Sequence, residues 1–594
     1  MSALSDRLPV FLDEFFRLHP LEATAVGMHD HDGRWPDLTE VGRQERLAFV
    51  DRWTTELRAL DEASLTSDER IDRDLLLGEL DARRFAETEL RDERWDPLTW
   101  VYLLGSGIFP LLGRGFASLA VRLASAAERL EGIPAVVAAA VAELEGVDGR
   151  PVSRLHTETA LRQLDGVAEL AEQAVAMARD GGSDGEVAAL LPRLEAAADT
   201  AREAVADFER HLTETVLARA AGEGRLGSAL YDAKLRHTLK GDLDRGAIEA
   251  RAHREYEAVR AEMIRLAREL WPTWLGDRPL PDAATAGSRA AADEAIVRAV
   301  LDAIGAVHQR PADLLDYCRA ELGRIEAFVR SRDLLGLPAE PLEVTWTPVF
   351  MRAYGGAFLD PPGPLDKGQK SYFWVTPTPA DWTPEQVESY LREDNDRMLR
   401  LLSIHEGIPG HYLQLAYANR CPSLVRAVFW SGVFAEGWAV YATQVMMDLG
   451  YGADDPALLL THWKFYLRAV TNALIDIGVH AGTMTEEEAI RLMVEGGFQE
   501  ASEARAKWDR ARLTSTQLST YFVGSVEFWD LEEERRRRLA AAAGDERGAA
   551  AVPAAHVVGG FGKTPGFDYR QHLEAVLAHG SPPLPLLRRA VLGD

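Results

Sequence analysis

The sequence predicts a mainly α-helical protein with one small β-sheet, and three observations carry that expectation. Apolar residues recur three and four apart through the first half, β-branched and aromatic runs are confined to one Gly/Pro-rich stretch, and a capped helical pattern resumes beyond it. Hydrophobic residues make up 47% of the chain and charged residues 27%, the balance of a globular protein. At 594 residues the chain exceeds what one hydrophobic core supports, so two or more packed subdomains are expected.

Residues 1–337 form the first expected half. Leu123, Ala126, Ala127 and Leu130 make one apolar stripe at helical spacing, and Val137, Val141 and Leu144 make another. Gly181-Gly182 and Pro192 read as punctuation between helices. This half reads as stacked antiparallel helices with no chemistry of its own. The second half, 338–594, opens differently. Val344-Thr345-Trp346-Thr347 and Ser371-Tyr372-Phe373-Trp374-Val375 flank a Gly/Pro-rich loop from Tyr354 to Gly368, which predicts a small antiparallel sheet within 338–379. Helices resume at Thr383-Pro384-Glu385-Gln386, an N-cap with proline in the first turn and a capping glutamine. Near the end, Glu532-Glu533-Glu534 followed by Arg535 to Arg538 pairs acid and base four apart, as a solvated helix face does. A basic recognition patch is the alternative reading.

The formal net charge of -28 argues against nucleic acid or an anionic membrane as partner, because both repel an acidic surface. Cys318 and Cys421 lie far apart, which reads as two reduced thiols rather than a disulfide framework. The first twenty residues carry acids and a proline where a secretion signal needs an unbroken apolar run. No charge-free apolar stretch reaches the about 18 residues of a membrane span. The expected compartment is the cytoplasm.

The chemistry is concentrated in Ile404-His405-Glu406-Gly407-Ile408-Pro409-Gly410-His411. Two histidines offer neutral nitrogen ligands to a metal, and a glutamate beside the first can take a proton from water at that metal. The usual spacing is four. Here it is six, which on an ideal helix leaves the two side chains about 120° out of register. Pro409 and Gly410 permit a distorted turn that would bring them back together. A third ligand is offered by Glu436, in the apolar segment Phe434-Ala435-Glu436-Gly437-Trp438-Ala439, where a buried carboxylate needs a partner. Glu436 could instead pair with an arginine such as Arg468.

These two motifs resemble the signature of the "domain of unknown function 885" family, His-Glu-x-x-Pro-Gly-His followed by Glu-Gly-Trp-Ala. The likeness extends from Pro20–His29 near the start to His572–Leu577 and Gly580–Leu584 near the end. It implies a large helical metallopeptidase-like fold, similar to thimet oligopeptidase and carboxypeptidase Taq, with a deep cleft between two helical halves and the small sheet at its edge. The metal-binding helices would fall within 384–450. One departure stands out: relatives often carry an acidic residue shortly after Glu-Gly-Trp-Ala, whereas this chain reads Val440-Tyr441-Ala442-Thr443-Gln444, which puts the orientation of a ligand histidine in question. In related folds a tyrosine placed like Tyr521, in Gln517-Leu518-Ser519-Thr520-Tyr521, donates to the developing oxyanion. A core tyrosine is the competing reading. His480 and Gln517 are candidates for lining the cleft, although a lone histidine on an apolar helix is more often structural. Tyr354, in Tyr354-Gly355-Gly356, could let a substrate backbone approach a strand edge, or belong to a surface loop. His29-Asp30-His31-Asp32 reads as a polar turn, and His572 is assigned no step.

The expectation is therefore a zinc-dependent hydrolase of peptide or peptide-like amide bonds. His405, His411 and Glu436 would bind one Zn²⁺ per chain, Glu406 would act as general base and Tyr521 would hold the oxyanion. The substrate would be a short peptide or peptide-like small molecule. A metal-dependent amide or ester hydrolase acting on a metabolite is one alternative. A non-catalytic helical binding protein with a degenerate metal site is the other.

Overall fold

The helical pattern becomes helix almost wherever it was expected. The computed structural model describes residues 4–593 apart from 148, 242, 348–355, 381, 545–556, 562–563 and 565. By packing, the chain divides into two compact units, one of residues 1–225 with 362–369 and one of 226–361 with 370–594.

The first unit is built on α1 (Pro97–Gly113), α2 (Leu119–Glu143), α3 (Arg154–Asp180) and α4 (Gly185–His211). Helix α4 packs on both α2 and α3, and α3 packs on α1. Leu123, Ala126, Ala127, Leu130 and Val137 are buried, so both apolar stripes face the core, and α2 runs unbroken through Pro134. Gly181 caps α3 as expected, but Pro192 lies inside α4 rather than before it. The carbonyl that its missing N–H leaves unpaired is that of Ala188, an exposed residue near the helix start, where water can satisfy it. Segment 362–369 docks on this unit: Leu365 N–H donates to the Val26 carbonyl at 2.9 Å, and His29 bridges Asp32 (2.9 Å) and Asp366 (3.1 Å) while stacking on Phe116. The expected polar turn at residues 29–32 thus holds a distant segment.

The second unit begins well before residue 337. Helices α5 (Ser228–Leu239), α6 (Arg245–Leu275) and α7 (Leu314–Ser331) contribute Tyr231, Met263 and Ile325 to the same buried cluster as Trp438 and Phe528. A chain cut at 337 would open that core, which is why the packing boundary falls at 225.

Three strands, β1 (Leu342–Trp346), β2 (Ala357–Asp360) and β3 (Ser371–Val375), form a sheet in the order β1-β3-β2. The sheet is mixed, not antiparallel throughout: β1 and β3 are parallel, with Leu342 beside Ser371, and β2 runs antiparallel to β3, with Ala357 beside Val375. Residues 347–370 are long enough for the crossover that a parallel pair requires, and β2 is formed within that connection.

Seven further helices of this unit carry the site or pack around it. They are α8 (Asp396–Leu402), α9 (His411–Ala418), α10 (Gly432–Asp448), α11 (Pro456–Ala481), α12 (Ala501–Leu513), α13 (Gln517–Ala542) and α14 (Tyr569–Leu577). The capping box at Thr383 and Gln386 forms. The charged run on α13 is only partly a solvated face. Glu534 pairs with Arg538 outside, but Glu532 and Arg536 are buried, with Glu532 accepting from Arg536 and from the Tyr441 hydroxyl at 2.6 Å. Cys318 and Cys421 form no disulfide, and among the described residues no helix is long and apolar enough to cross a membrane.

Candidate metal centre

The six-residue spacing is resolved by breaking the helix, not by bending it. After α8 the chain widens into one π-helical turn, Ser403–Gly407, which holds His405 and Glu406. Ile408 is extended, the Ile408–Pro409 peptide is cis, and α9 starts afresh with His411 as its first residue. Gly410 N–H donates back to the Ile404 carbonyl at 3.0 Å and closes the break. A Cβ at Gly410 would lie 1.9 Å from the His405 carbonyl oxygen, so only glycine permits this return.

A second close approach brings in the third ligand. Helices α10 and α13 cross backbone to backbone at Gly437 and Gly524, where a Cβ on Gly437 would lie 2.3 Å from the Gly524 Cα. Glu436 precedes the first glycine, and Tyr521 lies three residues before the second. The crossing therefore turns the Tyr521 hydroxyl towards the Glu436 carboxylate. Trp438 is fully buried and donates from Nε1 to the Pro409 carbonyl at 2.8 Å, tying the Glu-Gly-Trp segment to the Pro-Gly break. The two motifs meet through that bond.

His405, His411 and Glu436 come together: each offers one ligand atom, all within 4.8 Å of one another. Glu436 Oε2 lies 3.4 Å from His411 Nε2 and 3.9 Å from His405 Nε2, and the two imidazoles stand edge to face with centroids 4.8 Å apart. The arginine alternative for Glu436 falls away, because Arg468 pairs with Glu503 and Glu393. Burial, then the charge of His411, pushes the His405 pKa down to about 3, which keeps that imidazole in the neutral form a metal takes. Burial works against charge on His411, but the Glu436 and Glu406 carboxylates outweigh it and raise its proton affinity. Burial also opposes ionisation of Glu436, yet its histidine neighbours hold its carboxyl below the usual range. Two imidazoles and a carboxylate are the donor set of a catalytic zinc site, which takes three protein ligands and leaves a fourth position open. The residues present fit that ion.

Glu406 is 8% exposed and accepts from the Leu359 N–H of β2 at 3.0 Å. Burial pushes its carboxyl up to about 7, with His411 pulling down and Glu436 pushing up. His405 Nδ1 is buried and has no hydrogen-bond partner among the described residues, so this ring is oriented by packing, including the edge of Phe465 on α11.

The cluster opens on a cavity of about 490 Å³ whose wall includes residues 357–360, Glu406, Arg510 and Tyr521. Tyr521 thus stands on the wall and not in the core; burial, then the charge of Glu436, pushes its hydroxyl up to about 12, so it remains a donor. Gln517 does not line the cavity and instead donates to the Tyr521 oxygen at 3.3 Å. His480 is not on the wall either. It is 1% exposed, and its Nε2 lies 2.8 Å from the Ala511 carbonyl and 2.7 Å from that of Thr514. Nearby, Asp476 accepts from the N–H groups of Thr516 and Ser519, so these two residues brace the turn between α12 and α13. His572 is buried against Tyr441 and Arg535. Tyr354 and Gly355 lie outside the described residues; Gly356 is followed directly by β2, whose Leu359 reaches Glu406. The sequence reading missed Leu359 and Arg510. A backbone N–H leaves no residue signature, and a lone arginine on a polar helix has no diagnostic spacing.

A family model described as "Bacterial protein of unknown function (DUF885)" matches residues 20–591. Two solved structures are similar over their lengths. One is of a "putative lipoprotein of unknown function" from Shewanella oneidensis, 30% identical, with a TM-score of 0.79 and 100% of both chains covered. The other is of a "putative lipoprotein" from Colwellia psychrerythraea, 17% identical, with a TM-score of 0.77, covering 100% of this chain and 99% of that one; at this identity it speaks to the fold alone. No curated protein matches the chain.

Proposed function

The chain belongs to the bacterial family of unknown function DUF885, and we propose that it is a zinc-dependent hydrolase of peptide or peptide-like amide bonds. The observation that carries the reading is the convergence of His405, His411 and Glu436 on one point, with Glu406 beside them in the same cavity. His405, His411 and Glu436 would hold the ion. When bound, Zn²⁺ supplies a Lewis acid that makes water acidic near neutral pH and polarises a carbonyl.

The chain's own groups then divide the work. Glu406, fixed by the Leu359 N–H, takes a proton from the attacking water as the new C–O bond forms. It passes that proton to the amine nitrogen as the C–N bond breaks, so an amide and water give a carboxylate and an amine. Tyr521 donates a hydrogen bond to the oxygen that gains charge. The cavity volume falls within the about 300–1,000 Å³ of small-ligand sites, which favours short peptides over folded proteins.

The test is Glu406→Gln. The variant should keep the metal and lose turnover of a peptide the wild type cleaves; undiminished turnover would dismiss the mechanism. Release of products only from a panel of non-peptide amides and esters would favour the metabolite alternative. Absence of bound metal from the wild type would favour the binding-protein alternative. The proposed compartment is the cytoplasm, and fractionation of cells making the protein checks it.

A further inference from the structure

Three residues on the cavity wall are carboxylates, Asp360, Glu406 and Glu436, and one, Arg510, carries a fixed positive charge. Arg510 lies in the last turn of α12. Its Nη2 donates to Gln517 Oε1 at 3.0 Å, and no carboxylate stands within ion-pair distance of it among the described residues. Neighbouring arginines differ: Arg512 pairs with Asp509, and Arg468 with Glu503 and Glu393. In a chain with 94 acidic residues against 66 basic ones, a guanidinium kept on a neutral amide beside the metal centre stands apart.

The neighbours of that guanidinium fix what it can reach. Gln517, behind the wall, accepts from Arg510 and donates to the Tyr521 oxygen. Arg510 also hydrogen-bonds Tyr521, and Tyr521 faces Glu436, so guanidinium, phenol and ligand carboxylate follow one another along the wall. The Tyr521 hydroxyl alone thus separates the guanidinium from the Glu436 carboxylate, two hydrogen-bond lengths that one or two residues of extended peptide, at about 3.3–3.6 Å each, can span. The remaining donors of the guanidinium form a planar fork that matches a carboxylate.

We propose that Arg510 anchors a carboxylate of the substrate. The substrates are then short peptides or N-acylated amino acids with a free carboxylate one or two residues beyond the amide that is cut. This specificity rests on the hydrolase reading above. A chain terminus and an aspartate or glutamate side chain offer the same chemistry.

The test measures binding to the metal-loaded protein by calorimetry, with three probes: N-acetyl-tetraalanine, its C-terminal amide, and the same amide with aspartate at the third position. The free acid should bind wild type about 10- to 100-fold more tightly than the amide. Arg510→Gln should bring the acid to the amide's level and leave the amide unchanged, while Arg510→Lys should keep part of the preference. The aspartyl amide binding like the free acid assigns the anchor to side-chain carboxylates as well; binding like the plain amide restricts it to chain termini. Equal binding of acid and amide to wild type, or a preference that survives Arg510→Gln, overturns the proposal. Mass spectrometry of the same mixtures separates the two claims. Discrimination without cleavage keeps the anchor and removes the hydrolase, and cleavage without discrimination does the reverse.

Discussion

Tyr521 and Glu406 are the residues whose surroundings say most about chemistry. Glu406 is buried beside two imidazoles and is fixed by a backbone N–H. A buried carboxylate with one hydrogen bond is costly to keep unless it has work to do. Tyr521 keeps its proton and faces the same space. Replacing Tyr521 with Phe removes one donor and little volume, so the protein should fold and bind metal as before while kcat falls about 10²- to 10³-fold. Turnover of a peptide substrate, followed alongside metal content, checks this; an unchanged kcat would return Tyr521 to a structural role. His405 and His411 were legible as ligand types. Their convergence was not, because it depends on Gly410 tolerating a backbone that would drive any Cβ into the His405 carbonyl.

Helices α10 and α13 owe their contact to a pair of glycines, and the centre depends on that contact. Gly437→Ala places a methyl group against the Gly524 backbone, where nothing can yield without moving a helix. The expected result is a loss of about 1–3 kcal/mol in stability together with weakened metal binding, since Glu436 is the neighbouring residue. Denaturation midpoints and metal titration read the two effects; a variant as stable as wild type would contradict the crossing. Trp438→Phe tests the other tie, because it leaves the buried Pro409 carbonyl without its donor, at about 1–3 kcal/mol. At this scale the sequence showed where helices lie and where they are capped. It misjudged the sheet, because alternation within a strand does not reveal the direction of its neighbour, and β2 occupies a stretch that reads as a loop. Pro192 also misled, since proline is tolerated where the freed carbonyl faces water.

Across the whole molecule, the packing boundary at residue 225 and the return of residues 362–369 to the first unit were beyond pattern reading, because both depend on contacts between residues far apart in sequence. The link at His29 has a consequence for pH. Burial works against its charge, but Asp32 and Asp366 more than offset this and raise its pKa from 6.5 to about 9. A raised pKa means that the stabilisation is fully present below about 6.5 and is lost as pH climbs through about 9. Amide hydrogen exchange in residues 362–369, corrected for intrinsic rates, should lose protection over that window, and His29→Gln should remove the dependence. Identical profiles for variant and wild type would contradict the link. The centre itself is tested most directly by elemental mass spectrometry of the purified protein beside His411→Ala and Glu436→Ala. About one zinc per wild-type chain, lost from both variants, is the predicted result. A wild-type chain that holds no metal after zinc is supplied and the excess removed would contradict it.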